Sequence, residues 1–151
     1  MVAVGDKMPD WVNQGFTHYQ KQIGRRVNFQ LIEVPPLKRN KGADISRIIK
    51  QEEAKILNAI PDSFRIVALE RLGKQWDSLK LANKLGDWMD AGQPTAFVIG
   101  GPEGLSDEFL NKCDETWSFS MATLSHTIAR LVLAEQIYRG LTILEGGPYH
   151  R

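Results

Sequence analysis

The sequence predicts an α/β protein built on a mostly parallel sheet with helices on both faces. Two patterns carry that prediction. Short runs rich in β-branched residues alternate with longer segments of helical period, and the connections between them are short. Neither an internal repeat nor a low-complexity linker interrupts the 151 residues, so a single domain over 1–151 is expected.

Taken in order, Val2-Ala3-Val4 before Gly5 reads as a short buried strand. Apolar residues at helical spacing follow, from Pro9 in a helix N1 position to about Ile23. Phe29, Leu31, Ile32 and Val34 form a second strand that Pro35-Pro36 stops, and the polar loop 37–42 leads into a helix over about 43–59. Residues 65–70, RIVALE, are a third strand; Gly73 and an N-cap at Asp77 or Ser78 introduce a helix to about Asp90. Thr95–Ile99 is a fourth strand that runs into the glycine turn 100–104, and a short helix is expected over 106–113. Residues 117–119 suit a fifth strand. The last helix runs from an N-cap at Ser125 to about Gly140, and the glycines and proline of the tail LEGGPYHR end it.

Composition narrows the function classes. The longest apolar stretches fall far short of the roughly 20 residues that cross a bilayer, and no basic segment with an apolar run and cleavage site opens the chain, so a cytoplasmic protein is expected. A lone cysteine, Cys113, excludes an internal disulfide and multi-cysteine metal sites, and reads as a packing residue. His18, His126 and His150 show no ligand spacing, so no metal is expected. Nineteen Lys and Arg against eighteen Asp and Glu leave a net charge of +1, weak for binding nucleic acid by charge alone. Basic residues do gather at Arg25-Arg26, at Lys38, Arg39 and Lys41, and along Arg130, Arg139 and Arg151.

In open α/β sheets ligands bind at the carboxyl ends of strands, which singles out Leu69-Glu70, the turn 100–104 and the polar stretch 118–125. Gly100 and Gly101 allow close approach of a flat heterocycle or a carboxylate, although a plain tight turn would use the same residues. Dinucleotide and triphosphate fingerprints are absent. On the last helix His126 and Arg130 share one side, while Glu135 and Arg139 lie nearly opposite, with Ile128 and Val132. Burying all its apolar positions needs partners on both sides, as in a buried or dimer-interface helix. The pair Glu135 and Arg139 suits either an interface ion pair or a site. The terminal Pro148-Tyr149-His150-Arg151 holds an aromatic ring, an imidazole and a guanidinium, a set suited to an unpaired base; a frayed terminus is the plainer reading.

Read together, AVG, A-L-E with G-K-Q-W-D-S, VIGGPEGL, W-S-F-S-M-A-T-L-S-H, A-E-Q-I-Y-R and PYHR closely resemble the ribosomal large-subunit methyltransferase H family, over essentially the whole chain. The resemblance implies the SPOUT fold, an α/β domain with a C-terminal trefoil knot, working as a homodimer. It implies methylation of N3 of a pseudouridine in a 23S rRNA stem-loop of the assembled ribosome. It also implies S-adenosylmethionine in the knot, against Leu69, Gly100, Phe119, Ser120, Met121, Ala122, Thr123 and Leu124. Ser125 stands where many relatives carry proline, and the chain begins a few residues later than relatives typically do, which shortens the first strand.

Methylating N3 requires removing its proton or stabilising the anion, and Glu135 is the candidate to position or accept that proton, directly or through water, with Arg139 orienting it and stabilising charge on the base. Tyr149 and His150 are expected to hold the flipped base, with Arg151, Arg130 and His126 on the RNA. A tRNA methyltransferase of the same superfamily, or a non-catalytic ribosome-binding factor, are the alternatives.

Overall fold

In the computed structural model, which describes the backbone of residues 1–150 and the side chains of 1–149, one five-stranded sheet has the order β2-β1-β4-β3-β5. Its strands are β1 (Val2–Val4), β2 (Ile32–Val34), β3 (Arg65–Gln75), β4 (Thr95–Ile99) and β5 (Glu115–Ser118), and every pairing is parallel. Parallel strands need helical crossovers, and these bury both faces of the sheet. Helices α1 (Asp10–Ile23), α3 (Ser78–Asp90) and α5 (His126–Leu144) cover one face. On the other lie α2 (Ile45–Asn58) and the short α4 (Asp107–Leu110).

The two cores follow from the period of two along each strand. Ala3, Phe97 and Ile99 face α1, α3 and α5, whereas Val2, Val4, Ala96 and Val98 face α2 and α4. Asp44, Asp77, Ser106 and Ser125 each cap a helix by accepting a backbone N–H of its first turn.

Several boundaries differ from the sequence expectation. Pro9 is the N-cap of α1 rather than its first helical residue, with an extended ψ of 149°. β2 is ordered as strand only opposite β1, so Phe29 and Leu31 pack against the core without belonging to it. β3 continues to Gln75 past an irregularity: Leu69 and Lys74 both face Trp117, so residues 70–73 loop out of the ladder. β5 is Glu115–Ser118, so it begins two residues earlier than expected and leaves Phe119 to the following loop.

α5 runs through Gly140 to Leu144. Gly140 does not stop it because the glycine serves close packing: a Cβ there would lie 2.8 Å from Leu85 Cδ1 of α3. The stop falls at Gly146, whose φ is +70°; Gly146 N–H donates to Ile143 O at 3.0 Å and Gly147 N–H to Thr142 O at 2.8 Å. α1 and α3 flank α5, so both of its sides find apolar partners within one chain. No helix among the described residues is long and apolar enough to cross a membrane.

Candidate active site

The carboxyl ends of β3, β4 and β5 surround a cavity of about 360 Å³. Leu69, Gly100, Phe119, Ser120, Ala122, Thr123 and Leu124 all line it. Met121 belongs to the same loop, but its side chain is 61% exposed and is not part of the lining. The lining also includes Glu70, at the strand end the sequence singles out, and residues that sequence reasoning left out or placed elsewhere: Arg71 on the looped-out part of β3, Trp117 below, and His126 and Ala129 on α5. Glu70 was legible as the end of the A-L-E strand; nothing local in the sequence marks Arg71 or Trp117.

Local chemistry shapes this cavity. A Cβ on Gly100 would lie 2.7 Å from the carbonyl of Gly104, so the turn closes on itself only with glycine there. The buried Ser118 hydroxyl lies 2.8 Å from Arg71 O and 3.1 Å from Ser120 O, tying the loop after β5 to the looped-out segment of β3. Ser120 Oγ accepts from Ala122 N–H at 3.0 Å and Ser125 Oγ from Ile128 N–H at 3.4 Å, which fixes the loop between β5 and α5. Trp117 stacks on Trp76 with centroids 5.0 Å apart and meets the edge of Phe119 at 4.6 Å. The result is a rigid apolar base under a rim of backbone polar groups.

His126 lies at the head of α5, on the cavity wall rather than on a free surface. Burial, and then the charge of Arg130, push its pKa below the ordinary value of 6.5, which favours the neutral imidazole. Arg130 does not fit the expected role at phosphate. Its side chain is 2% exposed, paired with Glu33 and donating to Gly5 O at 3.0 Å, so its guanidinium is spent on joining α5 to the ends of β1 and β2. An Arg so placed is held by the interior and has no face to offer RNA. Cys113 is half-buried and its thiol is pushed up to about 11 by burial, as befits a packing residue.

A second polar cluster forms further along α5. Arg139 Nε donates to Glu135 Oε1 at 3.0 Å, Nη1 donates to Tyr149 O at 3.2 Å, and the Tyr149 hydroxyl lies 3.3 Å from Glu135 Oε1. The guanidinium sits 4.7 Å from the centroid of the Tyr149 ring. Gln136 Nε2 donates to the other oxygen of Glu135 at 2.6 Å. Hydrogen bonding to Glu135 raises the pKa of Arg139, and the nearby Tyr19 hydroxyl together with burial raises that of Tyr149. The structure thus brings Glu135, Arg139 and Tyr149 together, but none of them lines the cavity. His126 and Glu135 stand nine positions apart on the helix, a rise of about 13.5 Å. Tyr149 lies in the 3₁₀ turn Pro148–His150; the side chain of His150 and the whole of Arg151 lie outside the described residues. Among the described residues no group of His, Cys, Asp or Glu is placed to hold a metal ion.

A parallel α/β sheet with a glycine turn and a tied loop around one cavity at its carboxyl end defines a small-molecule-binding domain of the nucleotide-cofactor kind. The family described as "Predicted SPOUT methyltransferase" matches residues 1–150, and the chain belongs to that family. It is 44% identical over 151 residues to a protein of Legionella pneumophila (strain Paris) named "Ribosomal RNA large subunit methyltransferase H", covering 100% of this chain and 97% of that one. A protein of the same name from Thioalkalivibrio sulfidiphilus is 41% identical over the same shares. Among solved structures, a probable methyltransferase from Bordetella pertussis superposes with a TM-score of 0.57 at 15% identity, covering 93% of this chain and 94% of that one. That likeness concerns the fold.

Methyltransferases of this family use S-adenosylmethionine as methyl donor, and the cavity fits it. Gly100 presents backbone on the cavity wall, Leu69 and Phe119 offer apolar contact, and the neutral His126 adds no positive charge.

Proposed function

We propose that this chain methylates N3 of a pseudouridine in 23S rRNA of the assembled ribosome, in the cytoplasm, as a homodimer of one-domain SPOUT subunits with a C-terminal trefoil knot. The carrying observation is that the segments shared with the family, the end of β3, the glycine turn and the loop 119–125, converge on one cavity. The names of the relatives that match the chain from end to end support the ribosomal substrate.

When bound, S-adenosylmethionine supplies a methyl group on an electrophilic sulfonium. Leu69, Gly100 and the loop 119–124 would hold it, with Met121 contributing through its place in the loop. The neutral imidazole of His126 spares the sulfonium a like charge. At the acceptor, N3 carries a proton that must leave before its lone pair can attack. Glu135 accepts or positions that proton, directly or through water, and Arg139 orients the carboxylate and offsets negative charge on the base. Tyr149 and His150 hold the flipped base, and Arg151 meets phosphate.

Two copies are needed in this reading, because the cluster of Glu135, Arg139 and Tyr149 stands apart from the cavity of its own chain. A second copy that lays its cluster over the cavity mouth completes the site. Exposed Leu72, Met121 and Leu124 near that mouth offer it apolar contact.

The test is chemical identification of the product. Ribosomes lacking the modification are incubated with protein and S-adenosylmethionine, and their 23S rRNA is digested and weighed nucleoside by nucleoside. One added methyl on a pseudouridine is expected; methyl on any other nucleoside would overturn the assignment.

A further inference from the structure

The adjacent carboxylates Glu52 and Glu53 of α2 are 3% and 7% exposed and lie behind the glycine turn, outside the cavity. Buried carboxylates are tolerated only when hydrogen-bonded or paired: Glu53 is held by hydrogen bonds and Glu52 by hydrogen bonds and an ion pair. Glu53 accepts from Ser106 N–H at 2.6 Å and from its hydroxyl at 2.9 Å, gripping the chain just after the turn. Glu52 accepts from Leu37 N–H at 2.8 Å and from Arg39 Nη1 and Nη2 at 2.9 and 3.0 Å.

Arg39 is the hinge pin of this arrangement. It lies in the loop between β2 and α2, and all three of its nitrogens are engaged. Besides Glu52 it donates to Leu37 O at 2.7 Å, and to Glu103 from Nε at 3.0 Å and Nη2 at 2.7 Å. Glu103 belongs to the turn and lines the cavity. The turn's backbone also presses on the ion pair: a Cβ on Gly101 would lie 2.9 Å from Glu52 Oε2 and 3.0 Å from Arg39 Nη2. One guanidinium thus bridges two carboxylates that would otherwise repel, one on the α2 scaffold and one on the cavity wall. A lysine, with a single point charge, lacks the planar fork that serves both.

We propose that Arg39 is a positioning residue of the methyl-transfer site, anchored by buried Glu52 and holding Glu103 so that the turn 101–104 is preset to receive the cofactor. The inference rests on reading the cavity as the S-adenosylmethionine site. It differs from a purely structural role, because Glu103 is 30% exposed and its pairing adds little to stability. Its consequence falls on the turn.

Three variants test it: Glu103→Gln, the double variant Arg39→Gln with Glu52→Gln, and Arg39→Lys. The double variant removes cation and buried anion together, so no unpaired buried charge remains to unfold it. S-adenosylmethionine affinity is measured by calorimetry, melting temperature on the same samples, and kcat and KM on ribosomes. Glu103→Gln is expected to keep the wild-type melting temperature, yet bind S-adenosylmethionine about tenfold more weakly, the scale of one charged hydrogen bond. The double variant should bind comparably weakly, and Arg39→Lys should fall between it and wild type. In each the KM for the cofactor rises, while kcat at saturating cofactor stays within about twofold of wild type. Wild-type affinity in Glu103→Gln would overturn the proposal even if the double variant fails to fold. Wild-type protein that binds no S-adenosylmethionine would instead overturn the cavity reading itself, and this inference with it.

Discussion

His126 rests beside the buried Arg130, and burial and that charge hold its pKa below 6.5 in the folded chain. The unfolded chain therefore takes up a proton first as pH falls below about 6.5, and stability is lost from there down to the lower folded pKa. The melting temperature should fall as pH drops from about 7 to about 5, and His126→Gln should flatten that fall; an unchanged slope would mean that another group titrates. Glu103 has the same sign at a lower pH, because its folded pKa is also depressed. Its hydrogen bond to Arg39 keeps its carboxyl below the usual range, so the brace on the turn persists above that ordinary value and opens only in acid. At the acceptor cluster, Arg139→Met should lower kcat about a hundredfold. Glu135→Gln should lower it about ten- to a hundredfold and alter the pH–rate profile; an equal rate at every pH would exclude Glu135 as base. The cavity-lining positions Leu69, Gly100, Phe119, Ser120 and 122–124 are legible through family motifs, whereas Met121 points out of the cavity and Arg130 is buried in an ion pair. Its partners Glu33 and Gly5 lie 97 and 125 residues away, and only the fold brings them to it.

The elements were legible wherever a periodic run ended on its own local signal. The caps at Asp77 and Ser125 and the strand Thr95–Ile99 fall where composition placed them. Errors arose where packing overrode local chemistry. Gly140 reads as a helix end, yet it lies against Leu85 of α3, and α5 continues to Leu144. The looping-out of residues 70–73 depends on how β3 meets Trp117 of β5, a register that no local pattern records. On the proposed reading, cofactor binding depends on the turn after β4. In Gly100→Ala the new Cβ meets backbone of Gly104 that cannot swing aside, so S-adenosylmethionine affinity should fall at least tenfold, about 1.4 kcal/mol. Wild-type binding calorimetry for that variant would show that the turn is not the receptor.

At the scale of the whole molecule, the separation along α5 between the cavity and the cluster of Glu135, Arg139 and Tyr149 gives the homodimer its argument. If one copy supplies the pocket and the other the acceptor cluster, two impaired variants, assayed at limiting cofactor, should complement each other. Gly100→Ala mixed with Arg139→Met should regain activity, because a mixed dimer contains one intact composite site; activity no higher than the sum of the separate variants would place the whole site in one chain. The alternation of elements made the parallel sheet readable, and the rule that ligands bind at strand carboxyl ends pointed to the three segments that meet at the cavity before the family resemblance did. A net charge of +1 is weak for holding naked RNA by charge alone, and on the proposed reading the substrate is a surface that only the ribosome assembles. The most direct measurement is transfer of labelled methyl from S-adenosylmethionine to intact ribosomes lacking the modification, with free 23S rRNA and tRNA beside them. Label in 23S rRNA from intact ribosomes alone is the expected result; label in tRNA, or none despite bound cofactor, would contradict the account.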